Sequence, residues 1–298
     1  MLNFRELTLQ DRTWLRERLF PASKRGCEYS FANLYLWGSA QIAVLEGEPL
    51  LFSRYGRWST YYMPLGGDVD RALLALRQDA RERGVVFRVF GVAPEERERM
   101  ERLFPAQLRF YTVRDSADYV YDIERLCTLK GRKLQSKRNH CNHFEAAYPS
   151  YRLVPLTQEE MPRCEAFLRQ WYHQHNADHP YAHIEGEVAV LKRALAARQA
   201  LEMEGALLEV DGQVVAFTMG NRIRTDMFDV NFEKAVPQMN GAYPIINRDF
   251  ARYIAQKHPE VRWINREDDM GLEGLRKAKE SYFPDLLLEK TVAEEEKI

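Results

Sequence analysis

The sequence contains none of the signals that direct a chain into or across a membrane. No stretch of about 18 consecutive apolar residues is present, so no transmembrane helix is predicted. The N-terminus has no apolar segment followed by a cleavage signal. Cysteine is scarce, and Cys27, Cys127, Cys141 and Cys164 lack Cys-x-x-Cys spacing, which favours reduced thiols over disulfides or a zinc site. These absences predict a soluble, cytoplasmic protein.

No metal site is predicted from the histidines. His173, His175, His179 and His183 are close in sequence, but Pro180 interrupts the helix that a regular ligand spacing would need. No acidic residue is placed among them as in known zinc motifs. We therefore expect neither a metal nor another resident cofactor.

The chain has almost no net charge, which excludes a general attraction to nucleic acids or acidic membranes. Lys and Arg number 43 against 44 for Asp and Glu. Basic residues are concentrated in one segment, at Lys130, Arg132, Lys133, Lys137 and Arg138. This segment is a candidate contact for the phosphates of tRNA or of an anionic lipid head group. A solvated helix face explains the same pattern equally well.

The length of 298 residues predicts two domains, since a single core rarely grows so large. Two hairpins with Gly-containing turns, at residues 44–52 and 208–217, look alike. Each is followed by a strand, a helix, a strand and a helix, which indicates an internal duplication unless the similarity of the hairpins is chance. We place the N-terminal unit at 1–114 and the C-terminal unit, which carries the site, at 115–298.

Two local expectations accompany this division. Residues 126–147 are predicted to be largely helical despite Gly131. Residues 293–298 are predicted to be a frayed tail, as chain ends commonly are.

A dense polar cluster follows a short buried strand near the C-terminus. The strand is predicted at 261–264, the cluster occupies 265–269, and Gly271 permits a sharp turn into a helix. Sites in α/β folds commonly lie at the carboxyl ends of strands. Glu267 and Asp268 could bind the amino group of a substrate or act as general base, and a solvated loop is the plain alternative.

Two polar residues lie on another strand that is otherwise apolar. Asp229 and Asn231 point to the same side of the strand predicted at 227–232, because side chains alternate with a period of two. Burying them is unfavourable unless they are hydrogen-bonded. They are therefore candidates to orient a substrate amine, or else they form an interior hydrogen-bond network.

Three blocks of the sequence resemble the phosphatidylglycerol lysyltransferase C-terminal domain family. The strongest is Asn-x-Glu-Asp-x-x-Gly-x-x-Gly-Leu-Arg-x-x-Lys at 265–279. A second is Leu-Lys-Gly-Arg-Lys at 129–133, followed by Lys-Arg-Asn at 137–139. The third is Ser-Phe-Ala-Asn-Leu-Tyr-Leu-Trp at 30–37. Because the blocks are far apart, the resemblance covers nearly the whole chain.

The resemblance implies an α/β fold of two tandem GNAT-like units, the fold of acyl-CoA N-acyltransferases, each a mixed sheet flanked by helices. GNAT enzymes bind acyl-CoA pyrophosphate at a helix N-terminus through a Gln/Arg-x-x-Gly-x-Gly/Ala loop. The segment at 238–243 keeps Gln238 and Gly241 of this loop, but Tyr243 replaces its small residue. The resemblance therefore implies that aminoacyl-tRNA, rather than acyl-CoA, is the co-substrate.

The resemblance implies transfer of an aminoacyl group from aminoacyl-tRNA to a small-molecule, peptide or lipid acceptor. The chain would contact lipid peripherally, without an integral membrane segment. Two alternatives stay open: an N-acetyltransferase that uses acetyl-CoA, and a non-catalytic member that binds a ligand or RNA. The predicted catalytic residues are Asp229, Asn231, Glu267 and Asp268. The predicted substrate-binding residues are Lys133, Lys137, Arg138, Asn139, Gln238, Gly241, Tyr243, Asn247, Asn265, Arg276 and Lys279.

Overall fold

The computed structural model describes residues 2–21, 26–37, 40–55, 58–178 and 182–296, and it divides into two compact units. The first contains Met1–Asp118, Asp268–Gly271 and Leu288–Ile298, and the second contains Tyr119–Glu267 and Leu272–Leu287. The boundary placed at residue 114 from the sequence stays a prediction. No helix among the described residues is both long and apolar enough to cross a membrane.

Among its described residues, the first unit contains a seven-stranded mixed sheet and four α-helices. Its helices are α1 (Arg12–Leu19), α2 (Phe31–Leu36), α3 (Val69–Arg83) and α4 (Pro94–Leu103). Its strands are β1 (Arg5–Glu6), β2 (Gln41–Leu45), β3 (Glu48–Tyr55), β4 (Trp58–Tyr62), β5 (Arg88–Val92), β6 (Leu108–Thr112) and the C-terminal β14 (Thr291–Glu295). The strand order is β1-β2-β3-β4-β5-β14-β6, and the β4–β5 pair is parallel.

The expectation of a frayed C-terminal tail is wrong over residues 293–295. Strand β14 pairs with β5 on one side and with β6 on the other, so its backbone groups are hydrogen-bonded within the sheet. Ala293 is fully buried, and Glu294 forms ion pairs with Arg88 and Arg109. A short terminal segment is ordered here because both of its edges are paired.

The second unit has the same architecture, with six helices. The strands are β7 (Asp118–Asp122), β8 (Arg152–Pro155), β9 (Glu204–Val210), β10 (Gln213–Arg224), β11 (Met227–Ala235), β12 (Trp263–Asn265) and β13 (Leu286–Leu288). The helices are α5 (Ile123–Thr128), α6 (Gln135–Ala147), α7 (Met161–Asp178), α8 (Ala182–Ala196), α9 (Ala242–Lys257) and α10 (Glu273–Glu280). The strand order is β13-β7-β12-β11-β10-β9-β8.

Position by position, the two sheets match, and the predicted fold of two GNAT-like units is confirmed. Each has a run of antiparallel strands that ends in one parallel pair, β4–β5 in the first unit and β11–β12 in the second. The next position is filled in both sheets by a strand from a distant part of the chain. This is β14 in the first sheet and β7 in the second.

Residues 126–147 are largely helical, as predicted, but the helix is interrupted between Thr128 and Gln135. Helix α5 ends and α6 begins around a turn in which Leu129 and Gly131 have positive φ angles of 51° and 92°. Arg138 of α6 donates hydrogen bonds to the carbonyl groups of both residues, at 3.4 Å for Gly131. The side chain thereby satisfies carbonyls that the interrupted helix leaves without an amide partner.

Candidate active site

The central sheet of the second unit splits at the end of β12. Strand β11 is parallel to β12 over only three pairs, the last of which joins Asp229 to Asn265. Beyond this pair β11 continues to Ala235, while β12 has ended. The part of β11 beyond Asp229 therefore has no pairing with β12 along this edge. The split is the place where the fold exposes polar side chains next to a buried core.

A β-bulge lies on the other edge of β11 at the same level. The register of β10 passes from Met219 opposite Phe232 to Gly220 opposite Val230, so that Asn231 is the extra residue. A Cβ atom at Gly220 would lie 1.9 Å from the carbonyl oxygen of Asp229. Only glycine permits this approach. Bulges commonly re-aim a side chain next to an active site, and this one directs Asn231.

Asn231 joins the two carboxylates of the site. Its Nδ2 atom donates to Asp229 Oδ2 at 3.1 Å and to Glu267 Oε1 at 3.1 Å. Asp229 is fully buried and Asn231 is 8% exposed, whereas Glu267 is partly exposed. The structure thus brings together three of the four predicted catalytic residues.

Two of the predicted binding residues hold the loop that carries Glu267. Asn265 Oδ1 accepts a hydrogen bond from the backbone N–H of Glu267 at 2.7 Å, and Asn265 is fully buried. Lys279 Nζ donates to the carbonyl oxygens of Arg266 at 2.5 Å and Glu267 at 3.2 Å. These contacts hold Glu267 at a φ of 56°, which is costly for a residue with a Cβ atom. Asn265 and Lys279 therefore position Glu267, and their predicted contact with substrate stays a prediction.

An ion pair beside this loop contains Glu233, which is not among the residues predicted from the sequence. Arg266 Nη2 donates to Glu233 Oε1 at 2.8 Å, and both side chains are nearly buried. The predicted Asn247 is 4% exposed and donates from Nδ2 to Glu233 Oε2 at 3.5 Å. Burial, together with the charge of Glu233, raises the pKa of Tyr243 to about 12. Glu233 could have been found by continuing the period of two from Asp229.

The basic segment is divided between two environments. Lys137 Nζ lies 4.4 Å from the ring centroid of Tyr282, and burial together with the charge of Arg266 lowers the pKa of Lys137. Lys133 is exposed, with Nζ 5.5 Å from the centre of the Phe283 ring. Asn139 accepts a hydrogen bond from a neighbouring glutamine within α6. Of the predicted basic residues, Lys137 thus shares an environment with Arg266, and Arg138 caps the α5–α6 turn.

A separate basic cavity of about 410 Å³ lies next to this turn. It is lined by Arg125, Lys130, Arg132 and Lys133 and by the exposed ring of Phe283. Arg125 forms an ion pair at its wall with an aspartate that also lines the cavity. The other three cations are exposed at its mouth.

The start of α9 offers few amide groups to a phosphate. Gly241 has a φ of 93°, and a Cβ atom there would lie 2.5 Å from the carbonyl oxygen of His140. Glycine is thus needed for packing against α6. The Ala242 N–H donates to the carbonyl of Met239, and Pro244 has no N–H. Gln238 is exposed.

Three predictions concern residues outside this group. Asp268 belongs to the first unit, and Arg276 is half-buried on α10. Their roles stay predictions. Among the histidines, His179 lies outside the described residues.

One acidic group of the first unit is close enough to hold a metal ion, as far as the described part of the chain shows. It consists of Cys27, Glu28 and Asp118. Lys290 Nζ lies 2.6 Å from Asp118 and 2.9 Å from Glu28, so an ammonium group already supplies the positive charge. This arrangement favours a buried ion cluster over a metal centre.

The family can now be identified from the sequence profile of the phosphatidylglycerol lysyltransferase C-terminal family, which matches residues 20–294. The chain belongs to this family. A curated relative, an uncharacterised protein of Mycoplasmoides gallisepticum, is 24% identical over 184 residues, which are 59% of this chain and 55% of that protein. The chain thus spans about half the length of this relative.

Solved structures show the same fold. A conserved protein of unknown function from Bacteroides thetaiotaomicron is 37% identical, with a TM-score of 0.92 over 99% of this chain and 100% of that chain. L-PGS from Bacillus licheniformis is 16% identical, with a TM-score of 0.62 over 94% and 90%. A tandem GNAT protein from the clavulanic acid biosynthesis pathway is 12% identical, with a TM-score of 0.50 over the whole of both chains.

Proposed function

We propose that this protein transfers an aminoacyl group from an aminoacyl-tRNA to an amine or hydroxyl group of an acceptor. Membership of the lysyltransferase family and the tandem GNAT-like fold support a transferase of this kind. The acceptor is a small molecule, a peptide or a lipid.

The observation that carries the proposal is the Asn231 amide between two carboxylates at the split of the sheet. Glu267 is the base, because it is partly exposed and can reach an acceptor, whereas Asp229 is fully buried. Asp229 fixes the orientation of Asn231 by accepting a hydrogen bond from its Nδ2 atom. The site therefore presents one carboxylate to the substrates and keeps the other as a support.

The reaction needs no covalent intermediate on the protein. Glu267 accepts the proton of the acceptor amine or hydroxyl as the nucleophile forms a bond to the ester carbon. The bond from this carbon to the ribose oxygen of the tRNA then breaks, and the leaving oxygen takes up the proton that Glu267 accepted. Positioning of the two substrates supplies most of the acceleration, because the ester is already activated.

The basic cavity next to the α5–α6 turn is the proposed contact for tRNA. Lys130, Arg132 and Lys133 present positive charge at its mouth, and the exposed Phe283 ring offers a stacking surface. Such contacts bind phosphates with a strong dependence on salt. The poor supply of amides at the start of α9 favours this donor over acyl-CoA, whose pyrophosphate needs them.

The test follows a labelled amino acid from a pool of aminoacyl-tRNAs to lipid, peptide and small-amine acceptors. We expect consumption of the charged tRNA by the wild type, and a rate about 100-fold or more lower for Glu267→Gln. Glu273→Gln, at an exposed acid of α10, is the matched control and should leave the rate unchanged. Micromolar binding of acetyl-CoA without use of aminoacyl-tRNA would instead identify an N-acetyltransferase. Binding of tRNA without turnover would identify a non-catalytic member.

A further inference from the structure

Two cationic side chains near the split of the sheet have fewer anionic or hydrogen-bonding partners than they can bind. Arg266 Nη1 is buried and has no hydrogen-bond partner among the described residues. Lys137 is half-buried on α6, and no carboxylate within the described ranges pairs with it. Glu233 supplies a single negative charge, which Arg266 Nη2 already engages. Among the described residues, Glu233 is therefore the one carboxylate that forms an ion pair with either cation.

The two cations share one aromatic side chain. Lys137 Nζ lies 4.4 Å and the Arg266 guanidinium carbon 5.2 Å from the centroid of the Tyr282 ring. Tyr121 lies 6.0 Å from the same guanidinium. Aromatic faces attract cations but do not replace an anion. Burial and the charge of Arg266 lower the pKa of Lys137, as expected for an excess of positive charge.

Asn247, which donates to the other oxygen of the Glu233 carboxylate, carries a buried acceptor without a donor among the described residues. Asn247 is 4% exposed, and its Oδ1 atom has no hydrogen-bond partner in the described part of the chain. Its amide orientation follows from chemistry, because the Nδ2 group must face the Glu233 carboxylate. An unsatisfied buried acceptor costs about 1–3 kcal/mol, so this atom is expected to accept a hydrogen bond from a ligand.

These unsatisfied groups specify a ligand with an anionic or carbonyl oxygen close to an ammonium group. We infer that Lys137, Arg266 and Asn247 form a subsite for the α-amino acid group of the transferred residue. Its ammonium group donates to Asn247 Oδ1 and faces the Glu233 carboxylate. Its carboxyl oxygen accepts from Arg266 Nη1 and lies next to Lys137.

The inference rests on the proposed function and deepens it, because an aminoacyl ester carries this same group with a carbonyl in place of the carboxylate. During transfer the carbonyl oxygen gains negative charge as the acceptor bonds to its carbon. Arg266 Nη1 and Lys137 then act on an oxygen that is more negative than in the bound ester. The subsite therefore recognises the donor and stabilises the transfer step.

The test measures binding of the full set of proteinogenic L-amino acids to the whole protein by calorimetry. For the amino acid that binds best, two analogues are compared: the amine that lacks the carboxylate and the hydroxy acid that lacks the ammonium. We expect each analogue to bind about tenfold or more weakly than the amino acid, because each loses one charged contact.

Two variants separate the halves of the subsite. Lys137→Met should weaken binding of the amino acid and the hydroxy acid about tenfold, and leave the amine unaffected. Asn247→Leu should weaken binding of the amino acid and the amine, and leave the hydroxy acid unaffected. Lys257→Met removes an exposed cation over another ring, that of Tyr253, and is the matched control, with unchanged binding.

The outcomes distinguish this inference from the proposed function. If aminoacyl-tRNA is consumed but no free amino acid binds, or if Lys137→Met changes nothing, the subsite is refuted and the function stands. If amino acids bind as expected but no aminoacyl-tRNA is consumed, the subsite stands and the function is refuted. Binding of inorganic phosphate that no amino acid displaces would also refute the subsite, because the cations then serve a different anion.

Discussion

Replacement of Gly220 by alanine tests whether the bulge in β11 builds the active site. The new Cβ atom would lie 1.9 Å from the carbonyl oxygen of Asp229, whereas contacts of Cβ atoms under 3.0 Å are essentially never observed. The strands must therefore separate by about 1 Å at this point. Gly220 does not have a positive φ, so its backbone tolerates alanine and the clash is the only penalty.

This displacement should lower both stability and turnover. Overpacking of this kind costs about 1–3 kcal/mol in the free energy of unfolding. The clash displaces Asp229, which accepts a hydrogen bond from Asn231. A shift of about 1 Å here should lower kcat/KM for aminoacyl transfer about 100-fold. Urea unfolding and the transfer assay measure the two effects independently.

The control is Gly274→Ala on α10, where a new Cβ atom would meet no other atom of the described chain within 4 Å. It should leave turnover unchanged and leave stability equal or slightly higher, since alanine favours helix. The reasoning is refuted if Gly220→Ala unfolds at the wild-type urea concentration and turns over at the wild-type rate. The approach of β10 to β11 would then be adjustable and would not determine the site.

Three further predictions concern the ion cluster, the loop and a titrating lysine. Lys290→Met should lower the free energy of unfolding by about 3–5 kcal/mol because it removes the ammonium group that neutralises two buried carboxylates, whereas Lys277→Met, on an exposed ion pair, should leave the urea midpoint unchanged. Asn265→Ala should lower kcat about tenfold or more with little change in KM, because it releases the loop that positions Glu267 without touching substrate. The pKa of Lys137 is lower in the folded protein than its ordinary 10.5, so the folded state loses this proton at a lower pH than the unfolded state does. The free energy of unfolding of the wild type should therefore rise relative to that of Lys137→Met as the pH increases toward 10.5. Urea unfolding of both proteins at several pH values measures this difference.

The local pattern of the sequence was sufficient to predict the repeated fold. It did not predict that strands from distant parts of the chain, β7 and β14, complete the two sheets. Similar hairpins with similar successors indicate duplication, and the motif at 265–279 indicates the family. The positions of β7 and β14 depend on pairings between distant segments, such as Ala293 with Val89. No local periodicity encodes such a partner. A terminal segment of five residues therefore resembles a tail until its two neighbours in the sheet are known.

The geometry of the candidate site was predictable where it depends on strand periodicity and not where it depends on strand length. Asp229 and Asn231 follow from the period of two. The Arg266–Glu233 pair exists because β11 continues beyond the end of β12, and the sequence does not show how far two parallel strands remain paired. Arg138 shows what charge alone does not predict. Its guanidinium donates to backbone carbonyls of the preceding turn, and its predicted phosphate contact stays a prediction.

The matching architecture of the two units explains why the second rather than the first is expected to carry the chemistry. In the first unit, the parallel pair β4–β5 joins Tyr62 to Phe90 where the second unit joins two polar residues. Tyr62 packs edge-on against Tyr29 and Phe90, with ring centroids 6.0 Å and 6.3 Å apart. A Cβ atom at Gly91 would lie 2.6 Å from the Tyr29 hydroxyl, so the rings occupy this space closely. Aromatic packing thus fills in one unit the position at which the other presents carboxylate and amide groups, which makes the second unit the better candidate for the transfer step.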